Sequence, residues 1–167
     1  MKKIILFIFL MVSVIINSIY AKEPLLIGNA LKFNSKLPVE ISSDFLEIDT
    51  SNKNLYIFFY KKNVVLIQGD SKIYSDTMKI FYNKLNKKIL KADINGNVKI
   101  KSRDIICNCD KVKYNLAKQS IIISGNVKIL QGSNVFYGSE LDIDLLNNKS
   151  YFKGGKKRIK TLFSGQK

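Results

Sequence analysis

The 167-residue chain carries 28 Lys and Arg against 13 Asp and Glu, a formal net charge of +15, with no histidine and two cysteines. Without histidine there is no Ser-His-Asp triad and no Cys/His zinc set, and two thiols fall short of the four ligands a structural zinc takes. The length suits one domain behind a leader and leaves no room for a second.

Lys2 and Lys3 precede an apolar run from Ile4 to Ile16, and Asn17, Ser18 and Ala21 follow. A short basic start, an apolar stretch and a small residue at the end predict a cleaved signal peptide over residues 1–21, and therefore export. The alternative is an uncleaved membrane anchor, which normally needs about 20 apolar residues. Residues 22–36 hold Pro24, Gly28, Asn29, Asn34 and Ser35 with no sustained period, which predicts a flexible N-terminal arm.

From Leu37 to residue 152, apolar and polar residues alternate: Leu46/Ile48, Met78/Ile80, Val98/Ile100, Val112/Tyr114, Val127/Ile129 and Leu141/Ile143. Period two over this length, punctuated by Asn, Gly, Asp and Lys clusters, predicts an all-β sandwich, barrel or roll. The phase sends these residues to one face and Lys79, Lys99 and Lys128 to the other, apolar inside and basic outside.

Two phrases recur along this stretch. Ser43-Asp44-Phe45-Leu46, Ser75-Asp76-Thr77-Met78 and Cys109-Asp110-Lys111-Val112 align, with a weaker copy at Gly138-Ser139-Glu140-Leu141. Copies begin about 30 residues apart, a period typical of architectures built from one supersecondary unit per copy. Gly96-Asn97-Val98-Lys99-Ile100 and Gly125-Asn126-Val127-Lys128-Ile129 match fully, and Lys62-Asn63-Val64-Val65-Leu66 is an earlier copy with lysine in place of glycine. Gly-Asn tolerates positive φ, so each phrase reads as a turn or bulge feeding a strand. In the first phrase the small residue and the later Leu, Met or Val lie three apart, which strict pleating would put on opposite faces. A bulge there, or a small residue facing outward, accounts for the spacing.

Tyr56 to Tyr60 and Val64 to Ile67 are apolar on both faces, which predicts a strand pair covered by another sheet or chain. Residues 153–167, with Gly154, Gly155 and several Lys and Arg, predict a mobile basic tail. Cys107 and Cys109 share a face of one strand, where buried thiols filling a packing column and an intermolecular bridge are both open readings. The basic surplus favours anionic partners. Residue usage rich in Lys, Ile and Asn, with only Arg103 and Arg158 as arginine, is equally what a biased genome produces. No nucleic-acid-binding signature is present.

The order and spacing of these phrases resemble the OstA-like family. Leu37-Pro38-Val39-Glu40-Ile41-Ser42-Ser43-Asp44 looks like that family's opening strand, and Val64-Val65-Leu66-Ile67-Gln68-Gly69-Asp70 like its Val-rich strand ending in Gln-Gly. Gln131-Gly132-Ser133-Asn134 and Gly138-Ser139-Glu140-Leu141 fit its later strands, so the likeness runs from Leu37 to Gly155. The resemblance implies a slightly twisted β-jellyroll in the periplasm, with two sheets around an open apolar groove that takes the acyl chains of lipopolysaccharide (lipid A). It also implies head-to-tail homo-oligomers through edge strands, LptC-like inner-membrane and LptD-like outer-membrane partners, and no cofactor.

The inward set named above, from Leu46 and Ile48 to Leu141 and Ile143, is the candidate lipid-binding groove. The same residues would serve equally as a dry packed core. Nothing points to catalysis, since Asp44, Asp76 and Asp110 stand at repeat positions where turns and strand starts use aspartate structurally. A non-catalytic adaptor that joins partners by β-augmentation is the competing function.

Overall fold

The computed structural model describes residues 37–103, 105–156 and 158–163. The expected signal peptide and N-terminal arm lie outside the described residues. Where the sequence alternates, the chain forms antiparallel strands: β1 (Glu40–Ser42), β2 (Phe45–Asp49), β3 (Leu55–Gln68), β4 (Ser71–Asn83), β5 (Lys88–Ser102), β6 (Ile105–Asn115), β7 (Ser120–Gln131), β8 (Asn134–Asp144), β9 (Lys149–Lys153) and β10 (Lys160–Leu162). β3 to β8 follow one another as a meander. β1 and β2 share the free side of β3, and β10 and β9 share that of β8.

Every long strand is broken in register near its middle. In β3, β5 and β7 the break falls on two consecutive left-handed residues: Lys62 and Asn63 (φ 61° and 50°), Gly96 and Asn97 (79° and 46°), Gly125 and Asn126 (77° and 48°). These are bulges, and Lys62 adopts the conformation that glycine adopts in the other two. The Asn side-chain amide then donates to the aspartate of the other phrase: Asn63 to Asp44 at 2.8 Å, Asn97 to Asp76 at 2.9 Å and Asn126 to Asp110 at 2.9 Å. The two sequence repeats are therefore halves of one device, an Asn on a bulge clasped by an Asp one strand earlier.

The bulges line up across the sheet and divide it in two. On one side, in the first layer, run cross-strand rows such as Tyr60–Met78–Ile94–Val112–Ile123–Leu141. On the other, the second layer, runs Leu66–Ile73–Ile100–Cys107–Ile129–Phe136. Met78, Ile100, Ile121, Ile123, Ile129 and Leu141 are fully buried and belong to one cluster spanning both sides. A single sheet cannot bury its own face while flat, and no helix stands among the described residues to cover it. The sheet therefore bends along the bulge line so that each layer covers the other, which gives the all-β jellyroll that the alternation and the family resemblance imply. By hydrogen bonding it is one bent sheet, where the resemblance implies two.

Two further expectations are corrected. Tyr56–Tyr60 and Val64–Ile67 are a single strand, β3, carried through its bulge, and no second sheet among the described residues covers their outer side. Lysine side chains cover it instead: Lys61 lies 4.5 Å from the centroid of the Phe59 ring, and Lys91 lies 4.1 Å from that of the neighbouring Phe81. Part of the basic tail is also on the sheet. Lys153 ends β9, and Lys160–Leu162 pair with Tyr137–Val135 of β8, whose backbone groups there would otherwise lack a strand partner.

Candidate functional site

The interior is built from the alternation and closed by the bulges. At the bulge line the layers converge, and the inward residues there are small: Ser75 pairs with Val64, Cys109 with Val98 and Gly138 with Val127. The small residue of the repeat thus points inward, and the bulge restores the phase so that Met78, Val112 and Leu141, three residues on, point inward too. Gly138 is held to glycine by its surroundings, since a Cβ there would run into the Phe152 ring.

From the bulge line outward the interior is apolar and continuous from strand to strand. Met78, Ile80, Val98, Ile100, Val112, Tyr114, Val127, Ile129, Leu141 and Ile143 are all buried on it, as the alternation predicts. Leu46 and Ile48 share the same face, opposite Tyr60 and Phe58, yet they are 49% and 50% exposed. They lie on β2, beyond which no further strand among the described residues continues the first layer, so the apolar row ends there. Phe45 next to them is exposed on the other face, and at the far end Tyr151, Leu162 and Phe163 are exposed as well. The interior is an apolar lane with apolar ends.

Period two did not single out the aromatic residues that widen this lane. Phe58, Tyr60, Phe136 and Phe152 pack against the core while remaining partly accessible. Tyr56, Phe58 and Tyr82 form a ring cluster with centroids 6.1 to 6.4 Å apart at the outer margin of the first layer. Phe58 and Tyr60 sit in the doubly apolar stretch, where alternation carries no phase. The signal that finds them is the register with Ile80 and Met78. Partial burial pushes the Tyr60 hydroxyl above its ordinary pKa, so it stays protonated at neutral pH.

Polar chemistry inside is sparse. The Ser75 hydroxyl is buried with no hydrogen-bond partner among the described residues. Cys107 and Cys109 are free thiols in the core, and hydrogen bonding with Cys109 together with burial holds the Cys107 thiol far above the ordinary thiol range. A protonated, buried thiol is a packing group and a poor nucleophile. Among the described residues no cluster of His, Cys, Asp or Glu could hold a metal ion.

An apolar lane inside a bent, bulge-hinged meander is the setting in which relatives become informative. The family described as LptA/(LptD N-terminal domain) LPS transport protein matches residues 40–149, which takes in the sheet from β1 to the start of β9. The chain belongs to this family. An uncharacterized protein of Rhizobium meliloti (strain 1021) is 27% identical over 124 residues, 69% of this chain and 64% of that protein. LPS-assembly protein LptD of Acidovorax sp. (strain JS42) is 30% identical over 78 residues, 46% of this chain and 10% of that protein. The match thus spans less than two thirds of either relative's length. Among solved structures, LptH of Pseudomonas aeruginosa, the LptA homologous periplasmic component of the conserved lipopolysaccharide transport device, superposes with a TM-score of 0.64 at 15% identity. The superposition covers 78% of this chain and 97% of LptH, which establishes a shared LptA-like fold.

Proposed function

We propose that the protein is a periplasmic lipid carrier that holds lipopolysaccharide by its lipid A acyl chains between the two layers and bridges inner and outer membranes. The observation that carries this reading is the unbroken apolar lane, which passes through eight strands and ends in exposed Leu46 and Ile48 on one side and Phe163 on the other. Family membership supports the same reading. Each methylene moved from water into such a lane is worth about 0.8 kcal/mol, so a few acyl chains supply ample affinity without any charged contact. Since the interior side chains are buried against one another, a chain enters only where the layers part at the margin away from the bulges. The backbone edges of β1 and β2, and of β9 and β10, which pair with no further strand among the described residues, suit head-to-tail copies of the protein and LptC-like and LptD-like partners by strand addition. Transport of this kind needs no catalysis and no cofactor within the chain.

Photo-crosslinking to lipopolysaccharide tests the proposal, with the probe placed singly at inward Ile80, Ile100 and Ile129 and at outward Lys79 and Lys113. Lipid adducts at the isoleucine positions alone are expected. Adducts at none of the sites in folded protein would remove the carrier reading and leave a packed roll that only joins other envelope proteins through its edges.

A further inference from the structure

The outer faces of the two layers carry different charge patterns. Outside the first layer, cations and carboxylates alternate across the strands: Lys79 pairs with Asp93, Asp93 with Lys113 and Asp144 with Lys149, and Lys61 bonds Glu47 at 2.7 Å. Outside the second layer stand exposed Lys72, Lys99, Lys101, Lys128 and Lys160, and the one carboxylate in their two cross-strand rows is Glu40, on the edge strand β1. Neighbouring carboxylates are already engaged: Asp70 by Arg103 at 2.9 Å, and Asp76 and Asp110 by the bulge asparagines. Lys72 and Lys101 are direct cross-strand partners, an arrangement of like charges that destabilises a sheet. A biased genome would load both layers with lysine alike, and it does not explain why carboxylates accompany the lysines on only one.

Aromatic and aliphatic groups are interleaved with these cations. Tyr74 and Tyr137 lie in the row of Lys99 and Lys128, with Lys101 Nζ 5.8 Å and Lys128 Nζ 5.6 Å from the respective ring centroids. Ile67, Ile106, Leu130 and Val135 fill the adjoining row, half-buried beside Lys72 and Lys101. Long cationic side chains over tyrosine and short aliphatic groups are the composition of surfaces that settle at the water–bilayer boundary. From β4 to β10 the lysines span about 24 Å at the usual strand spacing, wide enough to meet several headgroups at once.

We propose that the outer face of the second layer docks on a bilayer surface bearing anionic phospholipid, by its lysines with the two tyrosines at headgroup depth. A second copy presenting the same face would be repelled, and a neutral surface would leave the lysine pairs unrelieved. The proposal is independent of what the interior carries.

Co-sedimentation of the protein lacking residues 1–21 with vesicles tests it. Binding is expected to equimolar phosphatidylglycerol–phosphatidylcholine vesicles and not to phosphatidylcholine alone, weakening as salt rises. The double variant Lys99→Gln/Lys128→Gln should bind about thirtyfold more weakly, from the usual contribution of a lysine near an anionic surface. Lys91→Gln/Lys113→Gln, with the same net charge but altered on the first layer, should change binding by less than about twofold. Equal loss in both double variants, equal binding to neutral vesicles, or no binding would overturn the proposal. Full displacement by millimolar inorganic phosphate would also overturn it, by pointing to a discrete anion site.

Discussion

The two layers of the roll are alike on the inside and unlike on the outside. Met78, Val112 and Leu141 in one layer and Ile100, Cys107 and Ile129 in the other are nearly inaccessible, because each layer covers the other. Burial imposes the same chemistry on both. The outer faces are under no such constraint, and there one layer balances its charges while the other concentrates lysine. Where packing dictates composition, likeness between regions says little about function; the informative differences are those that packing leaves free.

The largest test of this contrast is a buried charge in either layer. Met78→Asp and Ile100→Asp should each cost more than about 4 kcal/mol and abolish cooperative urea unfolding, since an unpaired carboxylate has no partner in either interior. Lys99→Asp, one residue from Ile100 but on the outer face, should stay within about 0.5 kcal/mol. If one layer tolerated the buried aspartate, the inner equivalence would be broken.

The seam between the layers comes next. Gly125 sits at φ 77° with the Asp110 side chain against the place a Cβ would occupy. Gly125→Ala should destabilise by about 1–3 kcal/mol in denaturant titrations, through backbone strain and the displaced aspartate. Asn126→Ala removes only the clasp to Asp110 and should cost about 1 kcal/mol. Were the two variants equal, the hydrogen bond and not the backbone would be the source of the bend.

Smaller effects belong to the outer face of the first layer. The Lys61–Glu47 pair is exposed, so Glu47→Gln should change stability by less than about 1 kcal/mol, and less still in high salt. Asp144 is held below the ordinary carboxylate range, first by hydrogen bonds from Asn147 and then by Leu146 and Lys149. A carboxylate with a depressed folded-state pKa stabilises the fold above its unfolded value of about 4, and that contribution is lost as pH falls through the folded value. Asn147→Ala should therefore make stability fall less steeply with acid below about pH 4, read by circular dichroism across an acid titration.

Much of this is legible in the sequence. Alternation places Ile80, Ile129 and Ile143 on one face, and the three-residue spacing from Ser75 to Met78 and from Cys109 to Val112 leaves a bulge or an outward small residue open, of which the structure takes the bulge. The likeness to the OstA-like family carried the jellyroll itself. What stayed hidden depends on contacts distant in sequence. Leu46 and Ile48 alternate as well as Met78 and Ile80 do, and only the position of β2 at the end of the first layer exposes them. Asn97 and Asp76 appear in separate repeats, 21 residues apart, and their hydrogen bond exists only once β4 and β5 are paired in register. The strand at Lys160–Leu162 is too short for any periodic signal and exists because β8 offers an unfilled edge. The one-sided lysine face follows from register as well, since the same lysines scattered along the chain read only as net charge.

The clasped bulge carries a further consequence for how such a molecule is sized. Because β4–β5 and β6–β7 each bring their own Asn–Asp clasp and pair in nearly the same register, the middle of the roll is measured out in interchangeable segments. Duplicating β4–β5 would extend the apolar lane by about 10 Å, two strand spacings, while leaving its width and both ends as they are. Its reach is thus a matter of how many copies of a short phrase the gene contains.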